Sequence, residues 1–247
     1  MGRDTGIATR LRAGGLRVVE VDGWQTRGST DFGPGGSVNH HTAGPSTGAT
    51  PSLNTCINGR PDLPGPLCNV MQSREPDGFD IAYVISAGRS NHAGEGGWKG
   101  LSGNSSVYGL EIEHDGVTPL PEHRIDIAAA IHAHMFNGDV AMVCQHREWA
   151  PNRKPDAATN VDGDDFRRRV DAARNPAPPP NTPTFGGHKM FLVGQQSSGN
   201  WWLIEDKRRT LLSAATALYA AGNGVPTLGT VNDHEFGILI DDRDRYQ

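Results

Sequence analysis

Ten residues, Asn175-Pro-Ala-Pro-Pro-Pro-Asn-Thr-Pro-Thr184, contain five prolines and divide the chain more sharply than any other stretch. Each proline fixes its own φ near about −65°, removes a backbone donor and pushes the residue before it toward extended conformation. So dense a run reads as a stiff linker of polyproline-II type, which neither a helix nor a sheet can absorb. Of the 247 residues it sets apart 1–174 as a medium domain and 185–247 as a small module. A module of that size stands near the lower limit for independent folding.

Bulk properties narrow the class. The abundance of Gly (32) and Pro (17) describes a loop-rich globular protein and argues against a helical bundle. A net charge of −5 gives no electrostatic footprint for nucleic acid or an anionic membrane surface. No apolar run approaches the roughly 20 residues of a membrane span. The N-terminal Met1-Gly-Arg-Asp-Thr-Gly-Ile7 lacks the apolar core of a signal peptide, so synthesis in a cytoplasm without membrane insertion is expected. Three cysteines, Cys56, Cys68 and Cys144, without CxxC spacing, suit buried free thiols. A Cys56–Cys68 bridge closing a proline-rich loop is the alternative.

Periodicity places the elements. A short helix is expected over Thr5–Ala13 and a strand over Leu16–Val21; Ser37–Gly44 begins as a strand that delivers His40-His41-Thr42 to its end. Ser52–Ile57 fits a helical turn or a short strand. Leu67–Gln72 and Phe79–Ser86 read as a hairpin around Ser73–Gly78, followed by a glycine-rich loop, Ala87–Gly97, that carries His92. In the strand Ser106–Glu113, alternation sets Glu111 and Glu113 on the face opposite Leu110 and Ile112. Thr118–Phe136 is the strongest helix, with Ile125, Ala128, Ala129, His132 and Phe136 on one face and His132 and His134 read as packing or surface residues. A buried strand, Val140–Cys144, leads to His146, and a polar helix spans Asp164–Ala173, its start charged by Asp162. Beyond the linker, strands Met190–Val193 and Asn200–Glu205, a helix Leu211–Ala221 and an apolar run Phe236–Ile240 make a small α+β module.

The chemistry concentrates in His146-Arg-Glu-Trp-Ala-Pro-Asn-Arg-Lys-Pro-Asp156. Pro151 and Pro155 rule out a regular helix through it, and Lys154 and Asp156, two apart in extended chain, point together. A histidine and a carboxylate meeting here suit zinc, and a neighbouring lysine suits stabilisation of a developing negative charge. On its own the stretch reads equally as a charged surface loop. The pair His40-His41 at a strand end offers one further ligand, because adjacent strand residues face opposite ways.

Assembled in order, these segments resemble the type 2 N-acetylmuramoyl-L-alanine amidases, the zinc amidases related to peptidoglycan-recognition proteins, with an architecture most like an actinobacteriophage endolysin. The resemblance spans residues 16–172. It rests on His146-x7-Lys154-x-Asp156, on Val38-Asn-His-His-Thr-Ala43, on Asn91-His-Ala-Gly94 and on Tyr108-Gly-Leu-Glu-Ile-Glu113. It implies an α/β (α+β) fold with a central mixed sheet flanked by helices. It also implies Zn2+ on His40, His146 and Asp156, with a fourth position left open. Glu111 takes the place of the acid that handles the water's proton and the leaving amine, and Lys154 that of the oxyanion partner. His41, His92 and Asn91 become candidates for substrate contact, with His41 a second support for the metal site.

The reaction implied is hydrolysis of the amide between muramic acid and L-alanine in bacterial peptidoglycan, with the C-terminal module binding the cell wall. Such an enzyme, monomeric and reaching the wall through a holin-type lesion, contrasts with a non-catalytic peptidoglycan binder of the same fold and with a cytoplasmic muropeptide-recycling amidase. The sequence departs from the family at Gly65-Pro-Leu-Cys-Asn69, where Leu67 and Cys68 replace a hairpin tyrosine or histidine. Tyr83 on the next strand reads as a packing residue and does not inherit that role.

Overall fold

Two strands with opposite-facing side chains fix the architecture. The structure, a computed structural model, describes residues 2–157 and 160–174 and four strands within 190–231. The first part opens with helix α1 (Ile7–Ala13), β1 (Val18–Glu20), β2 (Gly36–His41), helix α2 (Leu53–Asn58) and the short strands β3 (Gly59–Arg60) and β4 (Leu63–Pro64). It continues with β5 (Val70–Gln72), β6 (Ala82–Val84), the short pair β7 (Gly97–Trp98) and β8 (Leu101–Ser102), and β9 (Val107–Ile112). Helix α3 (Glu122–Met135), β10 (Val143–Gln145), the single turn α4 (His146–Trp149) and α5 (Gly163–Arg174) complete it.

Six strands form one mixed sheet in the order β1-β6-β5-β9-β2-β10. Only the β5–β6 hairpin is antiparallel; β5, β9, β2 and β10 run together, as the expected α/β class requires. Along β9, Tyr108, Leu110 and Ile112 enter the main core beneath α1, α3 and α5, while Val107 joins a smaller cluster with Val38, Cys144 and Trp149 on the opposite face. Ser37 and Asn39 of β2 turn toward α3, where both meet His132. Val38 and His40 therefore turn to the other side. That second face is the one on which the site is built.

Helix α3 lies against α1, α5 and β9, which explains why Ala130 and Ala133 are buried along with the expected face of Ile125, Ala128, Ala129 and His132. It starts four residues later than its periodicity suggests. Asp115 Oδ1 accepts from Val117 N–H, Thr118 N–H and the Thr118 hydroxyl, which holds the preceding residues in a turn, and Pro121 is the first cap. The strand expected over Val140–Cys144 begins as a 3-10 turn, Val140–Met142, because Asp139 caps Ala141 N–H; pairing starts at Val143. Ser52–Ile57 resolves to the helical alternative, and Cys56, Cys68 and Cys144 are free, buried thiols.

In the C-terminal part β11 (Met190–Gln195), β12 (Trp201–Glu205), β13 (Arg208–Leu212) and β14 (Thr227–Val231) form a sheet in the order β13-β12-β11-β14. Leu211 and Leu212, expected to open a helix, belong to β13, paired with Trp202 and Trp201. The rest of that helix, the proline-rich segment and Phe236–Ile240 lie outside the described residues. Among the described residues no helix is long and apolar enough to cross a membrane.

One buried ion pair ties helix to sheet below the site. Arg124 of α3 donates through Nε to Asp80 Oδ2 at 2.6 Å and through Nη2 to the carbonyls of Ser73 and Glu113. Asp80 also accepts from Gln72 Nε2 and Glu75 N–H. Removing the carboxylate alone strands a guanidinium in the interior, a change that costs about 3–5 kcal/mol in comparable pairs. Asp80→Ala is therefore expected to lower the urea unfolding free energy by about that amount; a loss below about 1 kcal/mol would place the pair with surface salt bridges.

Candidate metal centre and active site

The site gathers at the carboxyl ends of β2, β9 and β10, the end of parallel strands where side chains from several strands converge in open α/β sheets. His40 is the fifth residue of β2, and the parallel register sets it beside Glu111 of β9. His146 follows β10 directly. The sequence suggests irregular chain from His146 onward, but its first four residues form α4. Gln145 and Glu148 make a reciprocal capping box, and Arg167 of α5 holds Glu148. Pro151 lies just beyond this turn, and the chain then doubles back through Arg153 and Lys154, both bonded to Ala150 O, to bring Asp156 to His146.

Three buried donor atoms meet. His40 Nδ1 and His146 Nδ1 are 2.8 Å apart, His146 Nδ1 and Asp156 Oδ2 are 2.8 Å apart, and His40 Nδ1 and Asp156 Oδ2 are 3.4 Å apart. Carbonyl groups determine where the ring protons reside, since a carbonyl accepts and never donates. His146 Nε2 lies 3.0 Å from Ala93 O, so it carries the proton and leaves Nδ1 as a lone pair. His92 Nε2 lies 3.2 Å from Val107 O, so it is also protonated and its Nδ1 accepts. That acceptor is 3.0 Å from His40 Nε2, which must then be the donor, leaving His40 Nδ1 unprotonated.

In the neutral rings, therefore, two lone pairs and a carboxylate oxygen face one another with no hydrogen between them. Such an arrangement is able to hold a cation. Burial, reinforced by the nearby His146 and partly opposed by Asp156, lowers the His40 pKa to about 4, so a proton is a poor occupant near neutral pH. Burial alone would raise the Asp156 pKa, but the two imidazoles set against its carboxyl outweigh burial and lower it. Two imidazole nitrogens and one carboxylate oxygen match the donor set of a catalytic zinc site. Donors around tetrahedral zinc stand roughly 3.3 Å apart at usual bond lengths, so the two shorter edges need to open by only about half an ångström.

Glu111 supplies the unsatisfied group beside this triangle. Its Oε2 is shut off from solvent and has no hydrogen-bond partner among the described residues. Burial pushes its pKa well above the usual carboxylate value; the Cys56 thiol, Asp156 and Glu113 push the same way, and the half-buried Lys154 opposes them. Lys154 also contributes, as the smallest of the named causes, to lowering the His40 pKa. Glu113, on the same strand face, is engaged differently. It accepts from Thr42 Oγ1, Ser52 Oγ and Ser52 N–H, and so ties the start of α2 to the sheet.

No protein-family profile matches the sequence, and no curated protein sequence matches it. Among solved structures, the chain is similar to the catalytic domain of XlyA, with 19% identity over 63% of this chain and 99% of that one, at a TM-score of 0.46. A derivative of AmpD shows 21% identity over 63% and 94%, at 0.44. LysC, an N-acetylmuramoyl-L-alanine amidase from Clostridium intestinale URNW, shows 18% over 63% and 97%, at 0.44.

The remaining residues singled out from sequence occupy other positions around the triangle. Both ring nitrogens of His92 are engaged within the protein, Nδ1 by His40 and Nε2 by Val107 O. Asn91 Nδ2 donates to Pro64 O, fastening β4 to the loop after β6. His41 turns away from the triangle and tilts against His114 with ring centroids 5.6 Å apart. Tyr83 packs at the edge of the cluster formed by Cys56, Cys68, Met71 and Ile85.

The raised pKa of Glu111 has a consequence for stability. The unfolded chain releases this proton near the ordinary value of 4.5, whereas the folded chain holds it to higher pH, so stability is lost as pH rises from there. In chelator-treated protein, Glu111→Gln is expected to raise the melting temperature at about pH 7 and to leave it unchanged at about pH 4. A lower melting temperature at neutral pH would contradict the buried, uncompensated carboxylate.

Proposed function

We propose that this chain is a zinc-dependent N-acetylmuramoyl-L-alanine amidase that cleaves the bond between muramic acid and L-alanine in bacterial peptidoglycan. The observation that carries the reading is the set of three buried donors, two of them histidine lone pairs fixed by carbonyls, with a trapped carboxyl and a lysine beside them. The sequence motifs that hold these same residues supply the substrate class.

His40, His146 and Asp156 would hold the ion. When bound, zinc supplies Lewis acidity and lowers the pKa of its water to about 7. The protein's own groups do the rest. Glu111, with its raised pKa, is suited to take a proton from the attacking water and to pass it to the departing nitrogen. The new carbon–oxygen bond forms first, with the carbonyl π pair moving onto oxygen; the carbon–nitrogen bond then breaks as that pair returns and the nitrogen takes the proton, leaving a lactyl carboxylate and a free L-alanine amino group. Lys154 is assigned the stabilisation of the negative charge that gathers on the carbonyl oxygen between these steps. The C-terminal sheet is assigned to wall binding and the whole to endolysin-type lysis of cell walls.

Mass spectrometry of purified walls is expected to show new L-alanine amino termini, abolished by a chelator; walls left intact by zinc-loaded protein would reject the amidase. Lys154→Ala should keep its zinc and lose about 10²–10³-fold in kcat, the usual result of removing one oxyanion donor. Full activity in zinc-replete Lys154→Ala would remove the lysine from the mechanism.

A further inference from the structure

Both histidine ligands owe their orientation to one short loop, His92–Gly94, which supplies the His92 ring to His40 and the Ala93 carbonyl to His146. That loop belongs to no helix or strand, so its own backbone groups need partners elsewhere. Its three N–H groups share a single one. Oδ1 of Asn104 accepts from the N–H groups of His92 at 3.1 Å, Ala93 at 2.8 Å and Gly94 at 3.3 Å. Asn104 opens the 3-10 turn Asn104–Ser106 that runs directly into β9, the strand of Glu111. One amide oxygen thus couples the loop behind both imidazoles to the strand that bears the acid.

The His92 ring also has a fitted seat. A Cβ on Gly109, in the middle of β9, would stand 2.6 Å from His92 Cγ, a separation no real side chain tolerates. A glycine inside a strand marks such a close approach. With the ring resting on Gly109 and its backbone held by Asn104, His92 can offer Nδ1 to His40 and Nε2–H to Val107 at once. Arg153 Nη2 closes the far end of the loop on Ala93 O and Glu95 O.

We propose that Asn104 is a positioning residue for the metal centre: by gathering three backbone N–H groups it holds the loop that fixes which ring nitrogen His40 and His146 present to the ion. The proposal rests on the metal-centre reading, not on the identity of the substrate. Outer supports of this kind change metal affinity by about 10–100-fold when removed.

Two readouts on the full chain test it. In metal-free protein, nitrogen-15 NMR of the imidazoles should show His92 as a single Nε2–H tautomer, and Asn104→Ala should turn it into a mixture. In competition with a chromophoric chelator, Asn104→Ala should bind zinc about 10–100-fold more weakly, while Asn104→Asp, which keeps the acceptor oxygen, should stay within a few-fold of the unsubstituted chain. A folded Asn104→Ala with an unchanged His92 tautomer and unchanged zinc affinity overturns the proposal. Should that variant not fold, His92→Phe keeps the ring and removes the acceptor for His40; undiminished zinc affinity there overturns it equally. An unsubstituted chain that binds no zinc would sink the metal-centre reading itself, and the tautomer measurement would still decide the role of Asn104.

Discussion

The carbonyl of Val107 determines what His40 can bind. Because that oxygen only accepts, His92 must place its proton on Nε2, His40 must donate from its own Nε2, and a lone pair is left facing the centre. Ala93 O imposes the same state on His146 from another direction. Neither histidine is free to adopt the other tautomer without leaving a buried polar group unpaired. What this makes is a pair of neutral nitrogens 2.8 Å apart beside a carboxylate, an arrangement at ease only around a positive charge.

The sheet makes this possible by separating two kinds of work between its faces. Toward α1, α3 and α5 the strands give Val70, Leu110 and Ile112 to a dry core, and His132 is satisfied there by Ser37 and Asn39. Toward the other face, β2 and β9 give His40 and Glu111 in adjacent register. On that face, Glu111 and, just past the end of β9, Glu113 are used differently. Glu113 is bonded to Thr42 and Ser52, and Glu111, beside the three donors, has an oxygen with no partner among the described residues. A group left in that condition lowers stability, and reactive sites are where folds tolerate such groups.

Much of this was legible in the sequence, for physical reasons that differ by residue. Alternation along Ser106–Glu113 fixes the faces of Glu111 and Leu110, because the strand period of two leaves no other choice. The His40 and His146–Asp156 motifs announce donors, and the fold brings them together. The helical turn at His146 was hidden by the prolines that follow it; its cause is a capping box whose acid, Glu148, is held by Arg167 nineteen residues later. The motif around His92 marks that residue, but its contact with His40 joins positions fifty-two residues apart, which no local pattern reveals. Gly109 carried a readable signal, a glycine inside a strand. Asn104 carried none, since a single asparagine before a strand looks like any turn residue.

X-ray absorption at the zinc edge of the loaded chain addresses the central claim most directly. The account predicts one bound zinc with a nitrogen and oxygen shell at about 2.0–2.1 Å, the scattering of two imidazole rings, and no sulfur at about 2.3 Å. A sulfur shell would mean that the nearby thiols of Cys56 and Cys68 take the metal instead. Either that or a chain that takes up no zinc would contradict a centre made by His40, His146 and Asp156.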